Sequence, residues 1–449
     1  MQYKNLIHLY NRFGFGLSGT ELSRYSKLSF EQALKQEKVQ ELRINLSELR
    51  NVKRKDLSDM QRKELRKKSK EKLMELNVEW MQQMISSTSI IQQKMSFFWH
   101  HHFACIIGNP IFAQNFTNGI RKHATGNFRD LLLEVSKSAA MINFLNTRQN
   151  RKRSPNEDFA RELCELFTLG RDQEYTENDV QEIARCFTGW NYKANGEFFF
   201  NLKQHDQDSK TVFGKSGNFD GEDIIDLILE KKACARFICD NIYRYFVNPI
   251  ADKRHIEELT EVFYSSNYDI KKLIIHIANS DWFYAEKNIL ARIKSPMEFF
   301  VGLGRQFKLT NEKPKSWLTL QRIFDQVLYQ PPNVKGWKEN QEWIDSNSLP
   351  LRLRIPSIIL TNSALEINSK PDYDSNPNDM AGKNKLSRKL DFGHDWGYFF
   401  RQNEGIDFKE LFFNNKISPQ VATFLQNNRF DSQMEEVIQL ISLPEYQLN

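Results

Sequence analysis

The stretch RKRSPNEDFARELCELFTLGRDQEYTENDVQEIARCFTGW, residues 151–190, decides the class of fold. Its first part carries three helix-start signals. Ser154 can cap the helix, Pro155 needs no N–H partner in the first turn, and Glu157 can reach back to the cap. The pattern predicts one helix from this cap to a stop at Gly170.

A helical wheel of this first helix separates an apolar stripe from a charged ladder. Glu157, Arg161 and Glu165 stack four residues apart on the far side of the stripe. Glu162 belongs to neither set and falls at the edge of the stripe, which predicts a half-buried carboxylate. Such a group needs a cation, a metal or a proton, so Glu162 is a candidate site residue and Arg161 a candidate for holding an anionic group.

A second helix is predicted directly afterwards. Thr176 with Asp179 three residues later forms a cap signal, and a helical apolar stripe continues to Gly189. Arg185 lies beside that stripe and is a candidate partner for a carboxylate or an anionic group.

A histidine cluster, FFWHHHF at residues 97–103, is the predicted counterpart of the acidic helix. Histidines among aromatic residues are desolvated and should be neutral. On a regular helix His100 and His102 lie about 160° apart, so both could ligate one metal only if the segment were extended. His123 lies in the last turn of the helix that ends before Gly126. Together with Glu162 and His123, the two histidines define a hypothetical divalent-metal site. A hydrogen-bonded core role is the alternative.

Several blocks of the sequence resemble a bacterial family called domain of unknown function 1800. They are NEDFAREL at 156–163, ELFTLG at 165–170, YTE at 175–177, TGW at 188–190, NRFGFG at 11–16, FWHHHF at 98–103, HATGNFR at 123–129, HD at 205–206, KT at 210–211 and PPNVKGW at 331–337. The resemblance covers roughly residues 1 to 360. It implies a mainly helical bacterial protein, often encoded beside a member of the domain of unknown function 1501 family, and it implies no established activity.

The positive charge of the chain is local. The net charge is +6, and residues 50–72 hold eleven Lys or Arg against four Asp or Glu, a surplus of seven that leaves the remainder at −1. Residues 45–76 are therefore predicted to form a basic, partly projecting helical arm. Aromatic residues for base stacking are missing from it, so a solvated helix face or an acidic partner is favoured over nucleic acid.

The chain is predicted to be mainly α, with a bundle-like main domain. Its predicted parts are a main domain at 1–365 with core motifs at 97–190, a linker or long loop at 366–395, and a C-terminal helical appendage at 396–449. A small irregular or hairpin insertion is predicted near 191–221, pairing residues 197–200 with 210–213 and holding His205 and Asp206 in its loop. The two glycines of the loop 11–16 predict a packing turn, because a dinucleotide site needs a third glycine after a strand.

Membrane and redox features point to one compartment. No run of eighteen apolar residues predicts a transmembrane helix, and the first residues lack the apolar core of a signal peptide. The five cysteines form no CxxC pair, which predicts reduced, mostly buried thiols and a cytoplasmic location. The family resemblance instead implies export for many relatives.

Two function classes follow from these residues. In the first, the protein is an enzyme performing metal-assisted or acid/base hydrolysis, with Glu162, His100, Arg161 and Arg185 as catalytic candidates and His100, His102, His123 and Glu162 as metal ligands. In the second, the same groups form a satisfied polar network, and the protein is a non-catalytic scaffold that binds a protein partner.

Overall fold

Helices account for most of the chain, as predicted. The computed structural model describes residues 2–49, 57–171, 174–310, 315–367 and 386–449. Its α-helices are α1 Tyr3–Arg12, α2 Gly19–Tyr25, α3 Phe30–Gln36, α4 Asp59–Ser86, α5 Ile90–His102, α6 Pro110–His123, α7 Phe128–Lys137, α8 Ala139–Phe144, α9 Asp158–Glu162, α10 Glu177–Cys186, α11 Gly221–Leu229, α12 Lys232–Phe246, α13 Lys253–Ser265, α14 Ile270–Asn279, α15 Pro296–Phe307, α16 Lys315–Ile323, α17 Ser348–Leu360, α18 Trp396–Gln402, α19 Phe408–Phe413, α20 Pro419–Asn427 and α21 Gln433–Ile441.

The strands among the described residues form three antiparallel ribbons. Their strands are β1 Trp190–Tyr192, β2 Phe198–Phe200, β3 Lys210–Val212, β4 Lys215–Gly217, β5 Ala364–Ile367 and β6 Leu386–Lys389, paired β1–β2, β3–β4 and β5–β6. The predicted insertion is confirmed, but the predicted pairing is wrong, since β2 pairs with β1 and β3 pairs with β4. Each strand meets its nearest neighbour in sequence, which closes a shorter loop than the predicted pairing would.

The acidic helix begins later than predicted. Ser154 does not cap it but forms an isolated bridge with Arg151, and α9 starts only at Asp158. The side chain of Asn150 accepts a hydrogen bond from the Asn156 N–H, which holds the intervening residues in a turn. Gly170 adopts a positive φ of 90° and ends the segment as predicted.

A π-helix, Leu163–Thr168, follows α9 without a break. The apolar periodicity of this stretch predicts an ordinary α-helix, so the π-helix differs from the prediction. Wider turns of this kind are rare in proteins. Where they do occur, they frequently lie at functional sites. Here the widened turn contains residues 165–168, the first four of the ELFTLG block of the family resemblance.

The central helix of the hydrophobic core is α5. Its residues from Ile90 to His100 are all buried, and the Trp99 indole donates to the Ala124 carbonyl at 2.9 Å. Large aromatic groups dominate this core, which makes it a rigid support for polar side chains placed on it.

The basic arm is the N-terminal half of α4. Ser58 caps this helix, Met60 near its start is 82% exposed, and Trp80 in its second half is fully buried. Residues 50–56 of the predicted arm and 368–385 of the predicted linker lie outside the described residues.

The five cysteines are buried and free, as predicted. Burial raises the pKa of each thiol, including Cys105. Among the helices of the described chain, none combines the length and apolarity needed to cross a membrane.

Candidate functional site

His100 is enclosed by aromatic rings at the end of α5. Its ring centroid lies 4.9 Å from that of Trp80 and 5.4 Å from that of Tyr329. The Tyr329 N–H donates to Nε2 at 3.3 Å, which assigns the proton of the neutral ring to Nδ1. Burial lowers the pKa of His100 to about 3. Nδ1 has no hydrogen-bond partner within the described residues, and the Nε2 lone pair that a metal would need already accepts the Tyr329 N–H.

His102 is the histidine that reaches the acidic segment. Its Nε2 donates to the Phe167 carbonyl at 3.0 Å. That carbonyl lies in the last turn of the π-helix, where carbonyls lack partners within the helix. This hydrogen bond joins α5 to the π-helix through a backbone carbonyl rather than through a carboxylate side chain. Burial lowers the pKa of His102 to about 4, so its ring is neutral near pH 7.

This contact predicts a change in acid stability. A histidine that charges only below pH 4 when folded, but near 6.5 when unfolded, stabilises the fold above pH 6.5, and that stability is lost as the pH falls toward 4. In His102→Gln the amide N–H can still reach the Phe167 carbonyl. We expect the slope of unfolding free energy between pH 6 and 4 to decrease by up to about 1.4 kcal/mol per pH unit, measured by urea denaturation. An unchanged slope would contradict the buried neutral ring.

The remaining histidines of this region pair with separate carboxylates. His101 Nε2 lies 2.9 Å from Glu339, and His123 Nε2 lies 4.0 Å from Glu134. Burial, followed by Lys122, lowers the pKa of His123, so burial outweighs the helix dipole, which favours the protonated ring. Each of these imidazoles therefore has its own surroundings.

Glu162 is partly buried, at the edge of the apolar stripe where the wheel placed it. Burial, followed by Glu165, raises the pKa of this carboxyl. Within the described residues its carboxylate forms no hydrogen bond or ion pair. The two arginines that the sequence offered as candidate partners are engaged elsewhere. Arg161 binds Glu177 through two hydrogen bonds, of 2.9 and 2.7 Å, and Arg185 binds protein carboxylates in the same way.

The carboxylates that bind Arg185 come from two parts of the chain, α10 and the loop between β2 and β3. Arg185 Nη1 donates to both Glu182 oxygens at 2.9 Å, and Arg185 Nε donates to Asp206 at 2.8 Å.

The predicted ladder of Arg161 with Glu157 and Glu165 is confirmed, with N–O distances of 3.0 and 3.6 Å. In the part of the chain that the structure describes, no three His, Cys, Asp or Glu side chains converge as a metal site would require. The proposed catalytic and ligand roles of these residues stay predictions.

A second polar centre lies between α1, α5 and α15 and was not anticipated. Glu298 is only 3% exposed. It accepts hydrogen bonds from both Arg292 Nη atoms, at 2.8 and 2.9 Å, and it forms an ion pair with Lys94. The Ser295 N–H adds a 2.8 Å bond. Burial alone would raise the pKa of Glu298, but Arg292 and Lys94 hold it well below its usual value.

Three further cations surround this carboxylate without pairing with it. Arg12 and Arg352 are each 1% exposed, and Lys294 is partly buried. Arg12 Nη2 donates to the Asn288 carbonyl at 2.8 Å. In the described part of the chain, Nε and Nη1 of Arg12 and Nη1 of Arg352 have no hydrogen-bond partner. Among the described residues, Glu298 is the only carboxylate that forms an ion pair with any of the five clustered cations.

Burial disfavours the charged state of these cations. It lowers the pKa of Arg12 to about 9, that of Lys94 to about 8 and that of Lys294 to about 7. A charge in such surroundings costs several kcal/mol unless a counter-ion compensates it. Among the described residues, the cluster therefore contains more cations than carboxylates that pair with them.

The cluster borders a pocket, here called the α1 pocket. It has about 550 Å³ of empty space, counting its open mouth, and its polar lining consists of Asn11, Lys94, Lys294, Glu298, Gln306 and Asn449. The loop 11–16, predicted to be a packing turn, forms one wall of this pocket. At Gly14 a Cβ atom would lie 2.8 Å from the Tyr10 carbonyl, so only glycine allows this wall to fold tightly.

Only weak local signals in the sequence marked these residues. Lys94 is the single charge in the otherwise uncharged run 90–99. Glu298 follows Ser295 and Pro296 in a helix-start pattern, and Ser295 does cap α15. The ion pair, however, joins residues 204 positions apart, a contact that no local pattern reports.

The fold and the pocket define a mainly α protein with a cation-rich polar centre in its core. The chain belongs to the family described as "Protein of unknown function (DUF1800)", whose model matches residues 8–448. No curated protein and no solved structure matches the chain. The family resemblance is thereby confirmed over nearly the whole chain, and it assigns no activity to it.

Proposed function

We propose that this protein binds a small carboxylate or other oxoanion in the α1 pocket. The supporting observation is the imbalance of charge, with five clustered cations around one paired carboxylate, Glu298. Buried cations without counter-ions are costly, and an incoming anion would compensate them. The amide of Asn11 has no hydrogen-bond partner among the described residues and supplies a further donor at the pocket wall.

Calorimetric titration at pH 7 and low salt tests this proposal with two probes, lactate and inorganic phosphate. We expect saturable binding to the wild-type protein. The variant Lys294→Met should bind at least about tenfold more weakly, because one charge-assisted hydrogen bond contributes about 1.5–3 kcal/mol. The variant Lys203→Met, which changes an exposed lysine outside the pocket, is the matched control and should bind as the wild type does.

The proposal makes a second, independent prediction for stability. A ligand that binds only the folded state raises the unfolding temperature as its concentration increases. We expect this shift with lactate or phosphate in the wild type and in Lys203→Met, and a smaller one in Lys294→Met. The absence of binding to the wild type at millimolar probe, or equal binding by Lys294→Met, would refute the proposal.

A hydrolase activity at Glu162 is a second proposal. It is supported by the partly buried, unpaired carboxylate next to the π-helix, a group suited to general acid or base chemistry. In its metal-assisted form, His100, His102 or His123 would have to move toward Glu162. Elemental analysis of freshly purified protein tests that form: a stoichiometric metal lost in a folded Glu162→Ala variant supports it, and metal-free wild type contradicts it.

A scaffold role is supported by a different feature, the projecting half of α4. Its side chains at 66–68 and 70 are exposed and basic, which suits an acidic protein surface. The partner implied by the family resemblance is a protein of the domain of unknown function 1501 family. We expect Lys67→Glu with Lys70→Glu to weaken binding to that purified companion, with Lys203→Glu as control. Equal binding by both variants would contradict it.

A further inference from the structure

The α1 pocket contains two amines, and only one of them has a carboxylate partner. We propose that Lys294 is a nucleophile that captures the carbonyl carbon of a 2-oxo acid as an imine, while the neighbouring cations hold the carboxylate of that acid. This inference rests on the proposed anion binding and names the substrate class of the same pocket.

The contacts distinguish Lys294 from Lys94. Lys94 forms an ion pair with Glu298, which keeps it protonated near pH 7. The Nζ of Lys294 donates to the Tyr446 carbonyl at 2.7 Å and lies 4.1 Å from the centroid of the Tyr446 ring. No carboxylate of the described residues pairs with Lys294, so its nitrogen is the amine of the pocket that can lose its proton.

The surroundings of Lys294 favour the neutral amine. Burial, followed by Arg352 and Lys94 against the opposing effect of Glu298, lowers its pKa to about 7. A large share of the amine therefore carries a free lone pair at neutral pH. Desolvation next to another cation is an established way to activate a lysine for attack on a carbonyl.

The proposed step is balanced without any further reagent. The Lys294 nitrogen forms a bond to the carbonyl carbon, and the carbonyl π electrons move to oxygen, which takes up the proton lost by nitrogen. The resulting carbinolamine then expels its hydroxyl group, which takes the remaining N–H proton and leaves as water, while the nitrogen electrons form the C=N bond. Amine and oxo acid thus yield imine and water, with no change in oxidation state.

Two acceptors in the pocket wall suit this intermediate. Within the described residues, Gln306 Oε1 and Asn449 Oδ1 are buried without hydrogen-bond partners, and both residues line the pocket. A ligand without a hydroxyl or amine donor would leave them unsatisfied. The hydroxyl of a carbinolamine, or the water it releases, donates hydrogen bonds that can satisfy them.

Reductive trapping tests the inference on the full-length protein. Incubation with pyruvate and sodium cyanoborohydride should add a single group whose mass is that of pyruvic acid less one oxygen atom, and peptide mapping should place it on Lys294. Phosphate should compete with the labelling, and lactate, which lacks the carbonyl, should give no adduct. Predominant labelling of other lysines would overturn the inference.

The variant Lys294→Arg separates the two proposals, because it keeps the charge and removes the nucleophile. We expect it to retain lactate binding and to lose the adduct. An adduct that persists in this variant, or wild-type protein that binds lactate but forms no adduct, overturns the imine and leaves anion binding intact. Wild-type protein that binds neither lactate nor phosphate removes both proposals. The wild-type mapping remains decisive even if Lys294→Arg does not fold.

Discussion

Replacing Glu298 with glutamine is expected to lower the free energy of unfolding by about 3–5 kcal/mol at pH 7, the usual cost of removing one partner of a buried ion pair. Glutamine keeps the shape of the side chain but removes its charge. Arg292 and Lys94 would then remain buried without the carboxylate that pairs with both of them. The Tyr245 hydroxyl, which also donates to Glu298 at 3.4 Å, would lose a charged acceptor. Urea denaturation measures the difference.

The matched control is Glu261→Gln. Glu261 pairs with Lys232, but the Glu261 side chain is 59% exposed, and surface ion pairs contribute about 0–1 kcal/mol. If both variants lost the same small amount, the Glu298 pair would be no more important than a surface pair. Equal stabilities would also weaken the case for an uncompensated cluster around the α1 pocket.

The Glu298 prediction has a pH dependence with a definite sign. Because the folded pKa is held below the unfolded value of about 4.3, the ionised carboxylate stabilises the fold above that pH. This stability is lost as the pH falls through the folded pKa. The difference between the wild type and Glu298→Gln should therefore be full at pH 7 and shrink below about pH 4.

Local rules were sufficient for much of the helical framework. The cap at Thr176 with Asp179 is confirmed as a capping box, and Gly170 does stop its helix, because these features depend on residues three or four positions apart. The predicted cap at Ser154 is wrong because the Asn150 side chain accepts a hydrogen bond from the Asn156 N–H and holds the intervening residues in a turn. The π-helix was missed because apolar periodicity does not distinguish it from an α-helix over six residues.

The α1 pocket could not be predicted in the same way. The charges of the cluster beside it come from α1, α5, the segment before α15, α15 itself and α17, and only the folded chain brings them together. Helical periodicity places Lys94 on an apolar helix but does not identify Glu298 as its partner. A single charge in an apolar run is the one sequence signal that pointed to a buried ionic group. The histidine cluster attracted attention instead because its residues are adjacent in sequence.

Replacing Lys294 with methionine is expected to stabilise the ligand-free protein by about 1–4 kcal/mol at pH 7, because a buried charge without an ion-pair partner costs up to several kcal/mol. The same change should weaken lactate binding, as set out above. A residue that costs stability and supports binding is typical of a functional site. Urea denaturation at pH 7 gives the stability difference directly.

The pH dependence decides whether the gain comes from the charge. The folded pKa of Lys294 is about 7 and the unfolded value is about 10.4, so between them the unfolded chain holds a proton that the folded chain releases. The penalty is therefore full below pH 7 and disappears as the pH rises through 10.4. The groups that act on Lys294, namely Glu298, Arg352 and Lys94, are common to both proteins, so the difference isolates the amine. A methionine variant that is less stable than the wild type by the same amount at pH 7 and 10.5 would show that Lys294 serves packing, and the proposed nucleophile would lose its physical basis.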